Sequence, residues 1–579
     1  MFRLTRFLTQ YRKQVIWGPV FKLIEAIFEL IVPIVTAKVI DQGVKTGDVH
    51  YVWKMGGVML LLGFVGLCCA LTCQKLASIA SQGFGTVVRN EMYRHINSFS
   101  HAEIDRFGTP SLITRITNDV NQLQFAVAML IRLVVRAPFL AVGAIVMAML
   151  IDWKLAVIFL IATPLIGLVL YWIMSRSVPF FRVMQKKLDK ISLISREGLS
   201  GARVIRAFSK QESEEERFRK ASDDQTDTAI RVGKLSALLN PLTYLIVNFA
   251  IIAIVWFGGY RVEGGAMTQG EVIAFVNYMS QTLLALIVVA NLVVTFTKAS
   301  ASAARVNEVL DAQTSVPELN SDPVPATRKP GVPKIEFRDV SFSYDGTDKY
   351  ALKNISVSIQ TGETVGIIGG TGSGKSTLVN LIPRFYDVTK GEILLDGVNV
   401  KQYPFSQLRG EIGMVPQEAV LFTGTIESNL KWSKADAAPE QLEKALMIAQ
   451  AKEIVDGKPQ KLQTPVNQGG KNFSGGQKQR LTIARALVGD PEILILDDSA
   501  SALDFATDAA LRRALKEYTE NMTVLMVSQR ASTIKRADKI IVLDDGEAVG
   551  IGTHEQLMKD CGIYREICLS QLSSEEAAQ

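Results

Sequence analysis

Residues 364–382 read TVGIIGGTGSGKSTLVNLI, and their order decides the architecture of the C-terminal half. A strand-like apolar run enters the glycine-rich GGTGSGKS at 369–376, which opens a helix-like TLVNLI. Glycines let backbone N–H groups approach a phosphate without side-chain obstruction. The helix N-terminus adds further donors and the positive end of its dipole. Gly369, Gly370, Thr371, Gly372, Ser373, Gly374 and Thr377 then form or flank a phosphate cradle. Lys375 reaches the β- and γ-phosphates of ATP, and the Ser376 hydroxyl coordinates Mg²⁺.

Working downstream, PEILILDDSASALD at 491–504 places Asp497 at the end of a buried apolar strand, where it can hold Mg²⁺ through water. Between the two motifs lies NFSGGQKQRLTIARAL, 472–487. Its Ser474, Gly475, Gly476 and Gln477 open a helix and make a second phosphate cradle. One ATP needs one phosphate loop, so this second cradle serves a different nucleotide. Short apolar strands alternate with helical segments throughout, an α/β pattern.

Upstream, proline recurs and apolar periodicity stops in AQTSVPELNSDPVPATRKPGVP, 312–333. The expected division is a membrane domain at 1–315, a linker at 316–333 and a nucleotide-binding domain at 334–579. Six windows before the linker suit spans of about 20 apolar residues: 15–39, 55–80, 124–150, 154–176, 240–262 and 271–296. Cations cluster before the first span, between the second and third, and between the fourth and fifth. The positive-inside rule therefore puts both termini and the nucleotide-binding domain in the cytoplasm of a multi-pass cell-membrane protein. The two long cytoplasmic connections, 81–123 and 177–239, each have room to go out and back as a helical pair with a short turn.

Polar residues interrupt the spans. Lys22, Glu25 and Glu29 share one helical face, Arg132 and Arg136 share another, and Asn248, Asn277, Gln281 and Asn291 follow. They read either as a polar substrate pathway or as pairing between helices. The chain has 579 residues, 48% of them hydrophobic, and a net charge of +6. That charge is too small for its length to suggest a nucleic-acid partner. The five cysteines have no metal or redox spacing and read as free thiols.

The series of phosphate loop, SGGQ and acidic strand resembles that of ATP-binding cassette (ABC) proteins. The membrane half followed by the cassette resembles a type IV exporter half-transporter. The resemblance implies an all-α six-helix transmembrane domain fused to an α/β P-loop (RecA-like) cassette with a helical subdomain. In that family two cassettes close head to tail, so SGGQ clasps the ATP held by a partner subunit. Tyr344 in FSY matches the adenine-stacking aromatic, Gln417 in MVPQE the glutamine that touches Mg²⁺, and 501–504 (SALD) the loop at the dimer seam. Turns near 105–112 and 199–207 match the coupling helices that rest on cassettes.

Two positions depart from the family pattern. The residue after the Mg²⁺ aspartate is normally glutamate and here is Asp498; the switch position is normally histidine and here is Gln529. Asn467-Gln468 also stands where the family has Gly-Glu. The resemblance is thus to the degenerate-site subunit of bacterial heterodimeric multidrug exporters. It implies a second ABC half-transporter as partner, a lipid membrane as setting and an amphiphilic small molecule as cargo, with a homodimeric or heterodimeric lipid flippase or peptide exporter as the alternative.

Overall fold

The structure, a computed structural model, describes residues 2–318, 322–324, 331–344, 346, 349–499, 501–518 and 521–571. Part of the expected linker therefore lies outside the described residues. The chain divides into two compact units, one of Met1–Asn97 with Thr109–Ala312 and one of Ser98–Gly108 with Gln313–Gln579.

The first unit is helical. Among the described residues, five of its helical stretches are long and apolar enough to cross a membrane: Val49–Asn97, Thr109–Ile151, Trp153–Ser200, Gln211–Glu263 and Gln269–Asp311. At about 1.5 Å per residue, the 48 residues of Trp153–Ser200 reach far beyond a hydrocarbon core of about 30 Å. The window expected to span at 15–39 is the continuous helix Arg12–Lys38. It stands apart from the five because Lys22, Glu25 and Glu29 fall within its apolar run. Those charges are paired: Lys22 Nζ donates to both Glu25 oxygens at 2.6 and 2.7 Å, and Arg136 donates to Glu29 at 2.6 Å. Pairing between groups that are costly in lipid is what a helix interface requires.

Small and aromatic residues close the packing of this unit. Ala26, Ala144, Ala156, Phe159, Ala274 and Phe275 are fully buried in one cluster, and the Tyr278 hydroxyl donates to the carbonyl of Leu30 at 2.6 Å. Asp152 caps Trp153–Ser200 by accepting the N–H groups of Lys154 and Leu155 at 2.9 Å, and also pairs with Arg261. The connection near 199–207 forms the short helix Ala202–Ala207, with Leu199, Val204 and Phe208 exposed around it.

The second unit holds two main sheets. Its strands are β1 (Ile335–Phe342), β2 (Leu352–Ile359), β3 (Thr364–Gly369), β4 (Lys390–Leu395), β5 (Val398–Asn399), β6 (Ile412–Val415), β7 (Gly424–Thr425), β8 (Pro465–Val466), β9 (Ile493–Asp497), β10 (Thr523–Val527), β11 (Lys539–Asp544) and β12 (Glu547–Gly552). The larger sheet runs β12-β11-β3-β10-β9-β6, parallel except for the β12 edge; β2-β1-β4-β5 form an antiparallel sheet, and β7 pairs β8. The unbroken ILIL of β9 follows from its position. Ile493 and Ile495 join the core shared with β1 and the phosphate-loop helix, whereas Leu494 and Leu496 join the core under Gly475–Val488. A parallel strand buried on both faces has no polar side to show.

Ser98–Gly108 belongs to this second unit. Its helix His101–Phe107 starts with a reciprocal cap between Ser100 and Glu103, and Glu103 also accepts the Ser315 N–H at 3.1 Å. The His101 ring stacks on Phe385 with centroids 4.4 Å apart, and the Tyr386 hydroxyl donates to Asp105 at 2.9 Å. Elsewhere in the unit, Lys334 is completely buried, its ammonium 2.6 Å from both Asp396 and Glu492 and 3.8 Å from Glu411. An internal cation already fills the centre of that carboxylate group.

Candidate functional site

The site sits where β3, β9 and β10 end. β10 lies between the other two, and its Val527 faces Ile367 on one side and Asp497 on the other. The loops leaving these three strands carry GGTGSGKS, Asp498 and Gln529, so the carboxyl edge of the sheet gathers residues far apart in the chain. Crevices at such strand ends are the usual ligand sites of open α/β sheets.

Backbone geometry explains the glycines of the loop. At Gly369 a Cβ would lie 2.1 Å from the Leu543 carbonyl oxygen. Gly374 has φ +97°, and a Cβ there would meet the Ala351 carbonyl at 2.8 Å. Neither position accepts a side chain. A Cβ at Gly370 or Gly372 would meet nothing within 4 Å, so these two positions border open space. Thr371 and Ser373 complete the turn into Lys375–Leu381.

Lys375 is buried and curls over the loop, donating to the carbonyls of Gly369 at 3.0 Å and Gly370 at 2.6 Å. Burial lowers its pKa, against the pull of the Asp498 and Asp497 carboxylates. The Ser376 hydroxyl donates to Asp497 Oδ1 at 2.8 Å. These two oxygen-bearing groups, one from the helix Lys375–Leu381 and one from the end of β9, can serve one hard cation. Burial raises the Asp497 pKa, the Ser376 hydrogen bond opposes that rise, and the neighbouring Asp498 charge adds to it. Asp498 is also raised by burial, with Lys375 and Arg530 pulling it down. Its backbone has φ +46°, and its N–H donates to the Val527 carbonyl at 3.0 Å.

Gln529 follows β10 with its side chain exposed. Gln417 is exposed just past the β6 edge. Tyr344 is half exposed. Its hydroxyl bonds Thr377 Oγ1 at 2.9 Å, and its ring stands edge-on to Phe342 and Tyr386. Ser474 caps the helix Gly475–Val488, with reciprocal bonds between its own polar groups and those of Gln477 at 3.1 and 3.3 Å. A Cβ at Gly476 would press on the Ala502 carbonyl at 3.1 Å, whereas Gly475 faces open space. The SGGQ turn therefore rests on the 501–504 loop. Among the described residues no hydrogen bond joins it to the phosphate loop.

Sequence reasoning missed two neighbours of these positions. Tyr386 supports Tyr344 from its edge, and Gln571 bonds the backbone around Gln529. Both act across the fold, and neither lies in a motif that spacing could reveal.

Comparison with known proteins decides the family. Residues 15–286 match the family described as ABC transporter transmembrane region, and residues 352–501 match the ABC transporter family. An uncharacterized ABC transporter ATP-binding protein of Mycobacterium tuberculosis is 39% identical over 97% of this chain and 96% of its own. The chain belongs to the ABC transporter family.

As an ABC transporter it is an ATP-hydrolysing, multi-pass membrane protein with a cytoplasmic ATPase domain. A Bacillus subtilis ABC transporter ATP-binding protein is 37% identical over 96% of both chains. An ATP-dependent lipid A-core flippase of Hahella chejuensis is 33% identical over 90% of this chain and 88% of its own. The fold of this ABC transporter is shared with a bacterial Atm1-family ABC exporter solved with ATP bound, with a TM-score of 0.80, 24% identity, and coverage of 97% and 99% of the two chains.

Proposed function

We propose that the chain is one half of a heterodimeric exporter of amphiphilic drugs and that its own ATP site is degenerate. The phosphate loop, 369–377, and Tyr344 would hold ATP. Ser376, Asp497 and Gln417 would hold Mg²⁺, which neutralises phosphate charge when bound. The observation that carries the reading is the pair Asp498 and Gln529 beside an otherwise complete set. A base must stand within hydrogen-bond reach of the attacking water, and aspartate is one methylene shorter than glutamate. Glutamine donates a hydrogen bond but brings no positive charge to the transition state. This site would grip ATP and turn it over slowly. Ser474–Gln477 would complete a competent site on a partner that supplies glutamate and histidine.

The test is ATPase activity of the purified chain against that of the chain co-expressed with candidate half-transporters. A large gain on pairing is expected. Vigorous turnover by the chain alone would refute the heterodimer.

A flippase for an anionic lipid is the second reading, and two observations favour it. Two of the relatives above 30% identity are named lipid A-core flippases. Within the first unit, Glu25 and Glu29 are engaged by Lys22 and Arg136, which leaves them poorly placed to attract a cationic drug. Dye uptake by inverted vesicles, set against translocation of a fluorescent anionic lipid, separates the two cargoes.

A further inference from the structure

The segment after β10 is tied to the last helix of the described chain, Gly562–Gln571. Gln571 donates from Nε2 to the Gln529 carbonyl at 2.8 Å and accepts at Oε1 from the Ala531 N–H at 2.9 Å. One carboxamide thus satisfies backbone groups on both sides of Arg530. Ala531 begins the helix Ala531–Ile534, and Arg530, at the capping position, offers no side-chain bond to the helix. The first N–H groups of a helix have no intrahelical partner, so Gln571 supplies from a distance what the local sequence lacks.

The anchor behind this clamp is firm. Tyr564, Cys568 and Gln571 follow one another at spacings of four and three, on one face of their helix. Tyr564 and Cys568 are fully buried, and the Tyr564 hydroxyl bonds His554 Nδ1 at 2.8 Å. The stripe that docks the helix therefore delivers a polar side chain at its end to the loop carrying Gln529. The rest of that loop is pinned as well. Ser528 N–H donates to the Ile367 carbonyl at 3.0 Å, and Arg530 N–H donates to Ser528 Oγ at 3.0 Å. Gln529 is thus held at its carbonyl by Gln571 and flanked by pinned neighbours, while the residue itself stays exposed.

We propose that Gln571 is a positioning residue for the switch glutamine: it fixes the Gln529 backbone so that the Gln529 carboxamide is presented to the terminal phosphate of ATP. This rests on the reading of 369–377 as the ATP site. Pre-ordering a contact group removes the cost of ordering it on binding. The benefit falls only on the ligand that carries the phosphate Gln529 meets. A mere helix cap would stabilise the fold and leave ATP and ADP equally affected.

The test uses the full chain in lipid nanodiscs with Mg²⁺, measuring Kd for ATP and for ADP by titration calorimetry. Gln571→Ala is expected to weaken ATP about three- to tenfold, the size of a lost hydrogen bond, and ADP by less than about twofold. Gln571→Met, close in volume but without the amide, repeats the result while keeping the helix packed. In a Gln529→Ala background, Gln571→Ala adds no further loss, because the group it positions is gone. Equal weakening of ATP and ADP, or losses that add in the double variant, would overturn the proposal. If the unmodified chain binds neither nucleotide, the ATP-site reading itself falls and the positioning role with it.

Discussion

At Asp498 two requirements compete. The carboxylate must be close to water to act as a base, yet burial raises its pKa, and Lys375 and Arg530 only partly offset this. A glutamate at the same position reaches one methylene further without moving the backbone. We expect Asp498→Glu combined with Gln529→His to raise hydrolysis by the purified chain at least about tenfold, a part of the roughly 100- to 10,000-fold that a fully positioned base contributes, because Asp498 already supplies the charge. A steady-state ATPase assay measures it, and no gain would refute the degenerate-site reading. The same burial makes a prediction about stability. A carboxyl whose pKa is raised on folding favours the fold below its unfolded pKa of about 3.9 and loses that contribution as pH rises through the folded value. Asp498→Asn, which cannot ionise, should therefore raise the melting temperature of nucleotide-free chain at pH 7, and the gain should shrink as pH falls toward 4.

Among the elements, the short helix His101–Phe107 depends on Glu103. Burial opposes ionisation of this carboxyl, but hydrogen bonds from Ser100 and Ser315 outweigh it and hold the pKa below the ordinary range. Its stabilising effect is full above about pH 4.3 and is lost as pH falls through the folded value. Glu103→Ala removes the reciprocal cap and the bond to Ser315, a loss of about 1–3 kcal/mol. It should appear as faster amide exchange across 101–107 at pH 7. That Ser315 bonds Glu103 and Phe385 stacks on His101 was not legible in the sequence, because those partners lie hundreds of residues away. The same division holds elsewhere. Glycine spacing and flanking patterns announced the phosphate loop, since backbone strain leaves its mark locally. By contrast, the Ser376–Asp497 bond needed the strand order, and the Gln571 clamp needed the docking of a terminal helix. Charges inside Arg12–Lys38 also read ambiguously, because only packing reveals that Arg136 answers Glu29.

For the whole molecule, the proposal makes the two halves of the cassette machinery unequal, and that inequality can be read from single substitutions in this chain. Lys375 and Ser474 belong to different composite sites: Lys375 would hold the ATP of the slow site, and Ser474 would clasp the ATP of the partner's fast one. In a symmetric dimer, disabling either residue would damage both sites alike. In the proposed pair, Ser474→Arg should suppress ATPase by about a hundredfold or more, the scale on which a preorganised transition-state contact acts. Lys375→Ala should leave a substantial fraction of turnover, because the fast site does not use it, while removing the slowly exchanging nucleotide. Ser474→Arg also removes the Gln477 cap, a loss of about 1 kcal/mol, but Ser474 is exposed at its helix start and Gly475 beside it faces open space, so the larger side chain meets no packed core. Measuring ATPase and retained nucleotide for both variants, co-expressed with the same partner, gives two readouts that must diverge. Equal suppression by the two substitutions would show that both sites cycle together, and would leave Asp498 and Gln529 as tolerated replacements in a symmetric motor.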